Sequence, residues 1–196
     1  TWQGTYSACF LMALQPGVFG QYWLGPIILL FSLIGSTYTI LYMLMRKILH
    51  TTLLEYLFVS TIFVLATIQF TWSYYDAFFW YNGAMYYTLF YSLSLLLGSL
   101  LICYQQTSSL IKKWGIGAFS ICLAIIIAGG NFVSGLGIGA ILFTSIILMR
   151  LEQKKWSYFN IAILIIYGIS FATSVLAPGN TYRQITVVDQ PNIIVA

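Results

Sequence analysis

The sequence predicts an all-α polytopic integral membrane protein, a helical bundle of about six transmembrane helices that follows an N-terminal interfacial or partial helix. Of the 196 residues, 60% are hydrophobic and only 6% are charged, whereas a soluble domain carries roughly a quarter charged residues. A globule of this size cannot bury so much apolar surface, so the remainder faces lipid. A lipid bilayer is therefore the first expected partner. The net charge of +4 reports orientation in the membrane rather than nucleic-acid binding.

Six apolar runs are long enough, or nearly so, to cross a hydrocarbon core that needs about 20 helical residues. The predicted spans lie at about residues 21–45, 52–71, 84–104, 115–128, 132–149 and 157–177. An earlier apolar run at residues 6–16 is too short to span and predicts an interfacial helix or the end of a preceding span. No repeat or linker interrupts the chain, so residues 1–196 are predicted to form a single transmembrane domain.

The basic residues predict the orientation of these spans. Seven of the eight Lys and Arg residues fall in every second loop, at residues 46–47, 112–113 and 150–155. The positive-inside rule places such loops in the cytoplasm. Four other segments are then expected together on the outer face, namely residues 1–8, 72–87, 128–131 and 177–183 with the tail that follows. The protein is therefore expected to be a multi-pass membrane protein that carries its unusual segments outside.

Arg183 is the only basic residue predicted on the outer face. Its guanidinium either snorkels at the interface or clamps a phosphate or pyrophosphate, since the planar fork matches two phosphate oxygens. Pro178 is expected to stop the last helix. Gly179 and Asn180 are expected to form a tight turn that holds the arginine against the bilayer surface.

Asp76 lies in the aromatic segment "SYYDAFFWYNG". One interpretation is that it caps a short helix lying flat in the interface. The alternatives are a general base, a contact to a substrate hydroxyl, or a ligand of a divalent cation. Tyr75, Trp80 and Tyr81 nearby either anchor the segment at the interface or provide stacking faces for sugars and a groove for an isoprenoid chain.

Three asparagines, Asn82, Asn131 and Asn180, each adjoin a glycine at a predicted outer turn. Turn chemistry explains them, and their amides are equally suited to hydrogen-bond a sugar hydroxyl. Trp2 and Gln3 in the first outer segment join them as candidate substrate contacts. The sequence contains no Cys/His metal spacing, P-loop or hydrolase motif. No metal-binding residues are predicted, and a divalent cation is the one cofactor left open.

The segments "TWQGTYSACFLMALQP", "FFWYNGAMYYTL", "AGGNFVSGL" and "LAPGNTYR", in that order and spacing, carry a resemblance. The chain resembles a large group of uncharacterised bacterial polytopic membrane proteins. That group is similar to the lipid-linked glucosyltransferases of the GT-C type, which transfer sugars from polyprenyl-phosphate donors to cell-envelope acceptors on the outer face. The resemblance covers nearly the whole chain. It implies a polyprenyl-phosphate-linked sugar as a partner and the bacterial plasma membrane as the location.

Transfer from such a donor needs an acceptor base, a cation for the leaving phosphate, and polar groups for the sugar. We expect Arg183 to contact the phosphate and Asp76 to be the catalytic residue or a metal contact. GT-C enzymes also carry an acidic motif in their first outer loop, which this sequence lacks. We therefore expect the chain to be a segment of a longer GT-C-like protein, with an upstream helix and its carboxylates missing. The alternative is a non-catalytic membrane module: a lipid-linked glycan transporter, a flippase or an assembly partner.

Overall fold

The structure is a computed structural model that describes residues 4–154 and 156–181, apart from the side chains of residues 152 and 153. Eight α-helices follow one another along this part of the chain. They are α1 Tyr6–Ala13, α2 Leu24–Leu41, α3 Leu53–Gln69, α4 Tyr81–Ala84, α5 Phe90–Gln106, α6 Leu110–Ala128, α7 Phe132–Gln153 and α8 Tyr158–Val175. A 3₁₀ turn at Pro16–Phe19 and π-helical segments at Tyr42–Ile48, Tyr75–Phe79 and Met85–Leu89 join them.

Five stretches of helix are long and apolar enough to cross a membrane. They are Leu24–Ile48, Tyr81–Gln106, Leu110–Ala128, Phe132–Leu151 and Tyr158–Val175. Helix α3 is also apolar but has only 17 residues, which extend about 26 Å against a hydrocarbon core of about 30 Å. The predicted all-α polytopic membrane bundle is confirmed. Five stretches are long enough to span, and α3, at the position of another predicted span, is shorter.

Helix α3 packs against α2. The hydroxyls of Tyr38 and Thr61 lie 2.7 Å apart, and the Tyr56 hydroxyl donates to the Tyr38 carbonyl at 3.2 Å. The rings of Tyr38 and Tyr56 also meet edge to face. Much of the rest of α3 is exposed, with Leu54 at 79% and Phe58 at 66%, as expected of a helix surface that contacts lipid.

Helix α5 packs between α2 and α6 and lies at the centre of the bundle. Its buried face carries Ser92, Ser94 and Ser99, whose hydroxyls each donate to the carbonyl four residues earlier. Small side chains with internally satisfied hydroxyls allow neighbouring membrane helices to approach closely. The main apolar core is shared by α5, α6, α7 and α8 and contains Leu97, Leu101, Leu123, Ile127, Leu142, Ile163 and Tyr167.

Two predicted turns are helical instead. Asn82 and Gly83 belong to α4, where Gly83 accommodates the Trp80 ring, since a Cβ there would lie 2.6 Å from Trp80 Cε3. Helix α8 ends at Val175, before Pro178, and residues 178–181 are helical again. Proline is favoured at the first position of a helix because its missing N–H is not needed there.

Candidate functional site

Four segments that the sequence singled out meet at one end of the bundle, which we call the motif end. It consists of residues 4–8, 72–87, 129–131 and 177–181. Hydrogen bonds join the first of these segments to each of the others. At the opposite end, which we call the basic end, lie residues 46–47, 112–113 and 150–154.

Asn180 connects the first described residue to the end of α8. Its Oδ1 accepts from the Gly4 amide at 3.0 Å, and its Nδ2 donates to the carbonyls of Ser174 and Val175 at 2.9 and 2.8 Å. The Ser174 hydroxyl in turn donates to the Gly4 carbonyl at 2.8 Å. A side chain at position 4 would collide with the Ser174 carbonyl and the Asn180 amide. The amide of Asn180 is therefore engaged within the protein.

The following residues fix the N-terminal segment to the rest of the motif end. The hydroxyls of Thr5 and Tyr86 lie 2.9 Å apart. The Ser7 hydroxyl donates to the Ile126 carbonyl at 2.6 Å, and the Ser7 amide donates to the Gly129 carbonyl at 3.2 Å. Thr5 and Ser7 are both buried. The segment predicted to be interfacial is thus built into the bundle end at its first residues.

The turn between α6 and α7 is closely packed on both of its glycines. A Cβ on Gly129 would overlap the ring of Tyr6, and one on Gly130 would overlap the ring of Phe90. Phe90 is fully buried, so its ring has no free space into which to move. Packing therefore requires glycine at both positions, in addition to the needs of the turn.

Asn131 caps α7. Its Oδ1 accepts from the amides of Val133 and Ser134 at 2.9 and 3.4 Å, which satisfies two of the amides that a helix start leaves without partners. Its Nδ2 lies 3.5 Å from the Tyr86 carbonyl, and the residue is only 9% exposed. The substrate role predicted for this amide stays a prediction, but its polar atoms already have partners in the protein.

A cavity of about 240 Å³ lies between residues 15–26, which lead from α1 into α2, and residues 79–82 of the aromatic segment. Three of the predicted substrate contacts, Trp80, Tyr81 and Asn82, line it together. The remaining lining residues are Gln15, Pro16, Gly17, Tyr22, Gly25, Pro26 and Phe79. The cavity thus combines aromatic rings with side-chain amides, a composition typical of sites that orient small polar ligands.

Gly25 lets the aromatic wall approach α2. A Cβ at this position would lie 3.0 Å from Tyr81 Cδ2, closer than ordinary van der Waals contact. Sequence reasoning did not identify Gln15, Tyr22 or Gly25 as site residues, because they precede or begin the first span. The dipeptides Gln15-Pro16 and Gly25-Pro26 are the available signal, since each marks a break in an otherwise apolar run.

Asp76 and Tyr75 lie beside this cavity rather than in its wall. Both are exposed and belong to the π-helical segment Tyr75–Phe79. The Ser73 hydroxyl accepts from the Asp76 amide at 3.3 Å, so Ser73 contributes to the start of this segment and Asp76 occupies its first turn. The carboxylate is accessible, but Asp76 does not line the cavity that Trp80 lines.

The divalent cation that the sequence leaves open gains no ligand set from the described part of the chain. No group of three or more His, Cys, Asp or Glu side chains comes together there. Trp2, Gln3 and Arg183 lie outside the described residues, so their predicted contacts to substrate remain predictions.

Comparison with known protein families, with curated protein sequences and with solved structures finds no match to this chain.

Proposed function

We propose that the protein is a membrane glycosyltransferase-like protein that takes a sugar from a polyprenyl-phosphate donor and transfers it to a cell-envelope glycan or lipid on the outer face. The observation that supports this proposal is the cavity at the motif end, where Trp80, Tyr81 and Asn82 face Gln15 and Tyr22. Aromatic rings pack against the apolar faces of sugar rings, while amide groups hydrogen-bond the hydroxyls.

The surroundings of the cavity suit a donor that is anchored in lipid. Trp72, Tyr74 and Tyr75 follow α3 and are all more than 60% exposed. Aromatic side chains of this kind concentrate where a membrane helix meets the headgroup region. A polyprenyl chain in the bilayer would then deliver its phosphate and sugar at the depth of the cavity.

Arg183 and Asp76 complete the proposed site. Arg183 follows Asn180 by three residues in the sequence, and Asn180 is held at the motif end by its bonds to Gly4 and the end of α8. In the proposal the guanidinium binds the donor phosphate before transfer and stabilises it as it leaves the sugar. Asp76 would accept the proton of the attacking hydroxyl.

The test is sugar transfer and donor binding by the purified chain in liposomes that contain polyprenyl-phosphate-linked sugars. We expect Trp80→Ala to weaken donor binding about tenfold, equivalent to ~1.4 kcal/mol, and Arg183→Ala to weaken donor binding and lower transfer. Trp156→Ala is the matched control, because Trp156 is as exposed as Trp80, at 51%, but lies at the basic end beside Arg150. Equal donor binding by wild type, Trp80→Ala and Arg183→Ala would refute the proposal.

A second function, a non-catalytic membrane module that binds lipid-linked glycans, is favoured by the position of Asp76. No described Asp or Glu residue lines the cavity of residues 15–26 and 79–82, so the sugar subsite has binding groups without an adjacent base among them. Donor binding that depends on Trp80, combined with no transfer to any supplied acceptor, would establish this second function over the first.

A further inference from the structure

A second cavity, of about 350 Å³, lies at the basic end, where α5, α6 and α8 meet. Its lining residues on α6 extend from Leu110 to Ile121, which corresponds to about 16 Å of helix. That length is about half of a 30 Å hydrocarbon core. The cavity is therefore a groove with the depth of one membrane leaflet.

The walls of the groove are almost entirely apolar. Tyr104 and Phe159 form one side, with their rings stacked at a centroid distance of 3.6 Å and an interplanar angle of 13°. Gly117 faces these rings, since a Cβ there would be in van der Waals contact with Phe159 Cε2 at 3.5 Å. A larger side chain at this position would fill the space between α6 and the two rings.

A cation lies at the mouth of the groove. Lys113 is one of the lining residues, and its Nζ lies 5.6 Å from the centroid of the Tyr104 ring. Lys112 precedes it, and the first turn of α6 contains no acidic residue. The start of a helix already carries a partial positive charge, so both lysines add to a positive potential that no nearby side chain of that turn offsets.

We propose that this groove binds an anionic glycerophospholipid, with one acyl chain against Tyr104, Gly117 and Phe159 and the phosphate at Lys113. The combination of an apolar channel one leaflet deep and a cation at its mouth complements such a lipid. Trp114, which is 75% exposed, lines the same mouth and suits the headgroup region. A zwitterionic phospholipid carries its own ammonium group, which the lysines repel. The site is separate from the motif end, and it does not depend on the proposed transfer activity.

The test uses the purified full chain in nanodiscs, with phosphatidylglycerol and phosphatidylcholine of identical acyl chains competing at equal amounts. Native mass spectrometry then counts the lipids that remain bound. We expect the wild type to retain phosphatidylglycerol preferentially and Lys113→Gln to reduce that preference about fivefold, the effect of one basic residue near an anionic surface. Lys113→Arg should keep the preference, and Gly117→Leu should abolish retention of both lipids.

Lys47→Gln is the matched control. Lys47 also lies over a tyrosine ring at the basic end, with Nζ 5.8 Å from the centroid of Tyr42, but it is not part of the groove. Equal retention of both lipids by the wild type, or the same loss in Lys47→Gln as in Lys113→Gln, would overturn the proposal. Preferential retention of polyprenyl phosphate, when it competes with phosphatidylglycerol in the same nanodiscs, would also overturn it. A wild-type dimer that Gly117→Leu dissociates would do so too, because each result identifies another occupant. Since Lys113→Gln leaves the groove walls intact, its result is independent of any folding defect in Gly117→Leu.

Discussion

Asn180 and Asn82 carry the same side chain but lie in opposite environments at the motif end. Asn180 makes three hydrogen bonds to backbone groups of Gly4, Ser174 and Val175. Asn82 is exposed and lines the cavity. An amide with three backbone partners contributes to stability, whereas an amide on a cavity wall is available to a ligand.

We expect Asn180→Ala to lower the free energy of unfolding by about 2 kcal/mol, because it leaves the buried Gly4 amide and two carbonyls without their partner. Asn82→Ala should leave the unfolding temperature unchanged and weaken donor binding instead. Thermal unfolding in one detergent, paired with donor binding, measures both effects. A stable Asn180→Ala protein would show that these hydrogen bonds do not hold the motif end together.

Why the two asparagines differ was not predictable from their neighbours in the sequence. Each adjoins a glycine, and local turn chemistry explains either residue equally well. The partner that distinguishes Asn180 is Gly4, which lies 176 positions away. Local patterns predicted that these residues are special, and only the tertiary contacts assign them different roles.

At the scale of elements, the start of α7 depends on one residue. Asn131 supplies the cap through Val133 and Ser134, and the same stretch contains the two closely packed glycines of the preceding turn. Helix α6 enters this turn without any basic residue in its last turn. The turn is held by packing, by the Asn131 amide, and by the bonds that Ser7 donates to the Ile126 and Gly129 carbonyls.

Asn131→Ala should destabilise the protein by about 1 kcal/mol, the usual cost of losing an N-cap. Asn131→Ser should recover most of that loss, because serine caps helices about as well as asparagine. The measurement is again thermal unfolding, with donor binding recorded in parallel. If Asn131→Ser restores stability but donor binding stays low, the amide also contacts the substrate as predicted. Equal stability of wild type and Asn131→Ala would contradict the capping role.

The spans were predictable because a hydrocarbon core demands a long apolar run, and such runs are visible in the residues. The bounds of α6 and of the stretch from α4 to α5 were less predictable. Helix α6 begins at Leu110, ahead of Lys112 and Lys113, because lysine side chains extend to the interface from within a helix. No periodicity of apolar residues in the sequence predicts the π-helical segments, such as Met85–Leu89.

At the scale of the whole molecule, the two ends of the bundle have different chemistry. The basic end carries every described Lys and Arg residue, and the motif end carries the aromatic cavity and the hydrogen-bonded N-terminal segment. The sequence predicted this separation from the alternation of basic loops, because charge is expensive to translocate and biases each loop to one side. The described residues of the four motif segments meet at one end of the bundle, and their exposure on the outer face is a prediction that the following experiment tests.

We expect a single cysteine replacing Trp72, which is fully exposed at the motif end, to react in intact cells with a thiol reagent that cannot cross membranes. Ser108→Cys, in the loop between α5 and α6 at the basic end, should react only after the membrane is permeabilised. Both variants are made in a background without Cys9, Cys103 and Cys122, the free cysteines of the described chain. The opposite labelling pattern would invert the orientation and with it the proposed site of transfer.

The hydrogen bonds between Gly4 and Asn180 also have a consequence for the order in which the chain assembles. Long-range contacts form late, and a ribosome releases the chain from its N-terminal side first. The Gly4 amide and carbonyl therefore gain their partners, Asn180 and Ser174, only after α8 has been synthesised. Thr5 and Ser7 bond Tyr86, Ile126 and Gly129, which all precede α8, whereas both backbone bonds of Gly4 to Asn180 and Ser174 require α8 and the residues after it. The motif end is thus completed last, so that a chain truncated before residue 180 lacks the closure that holds it together.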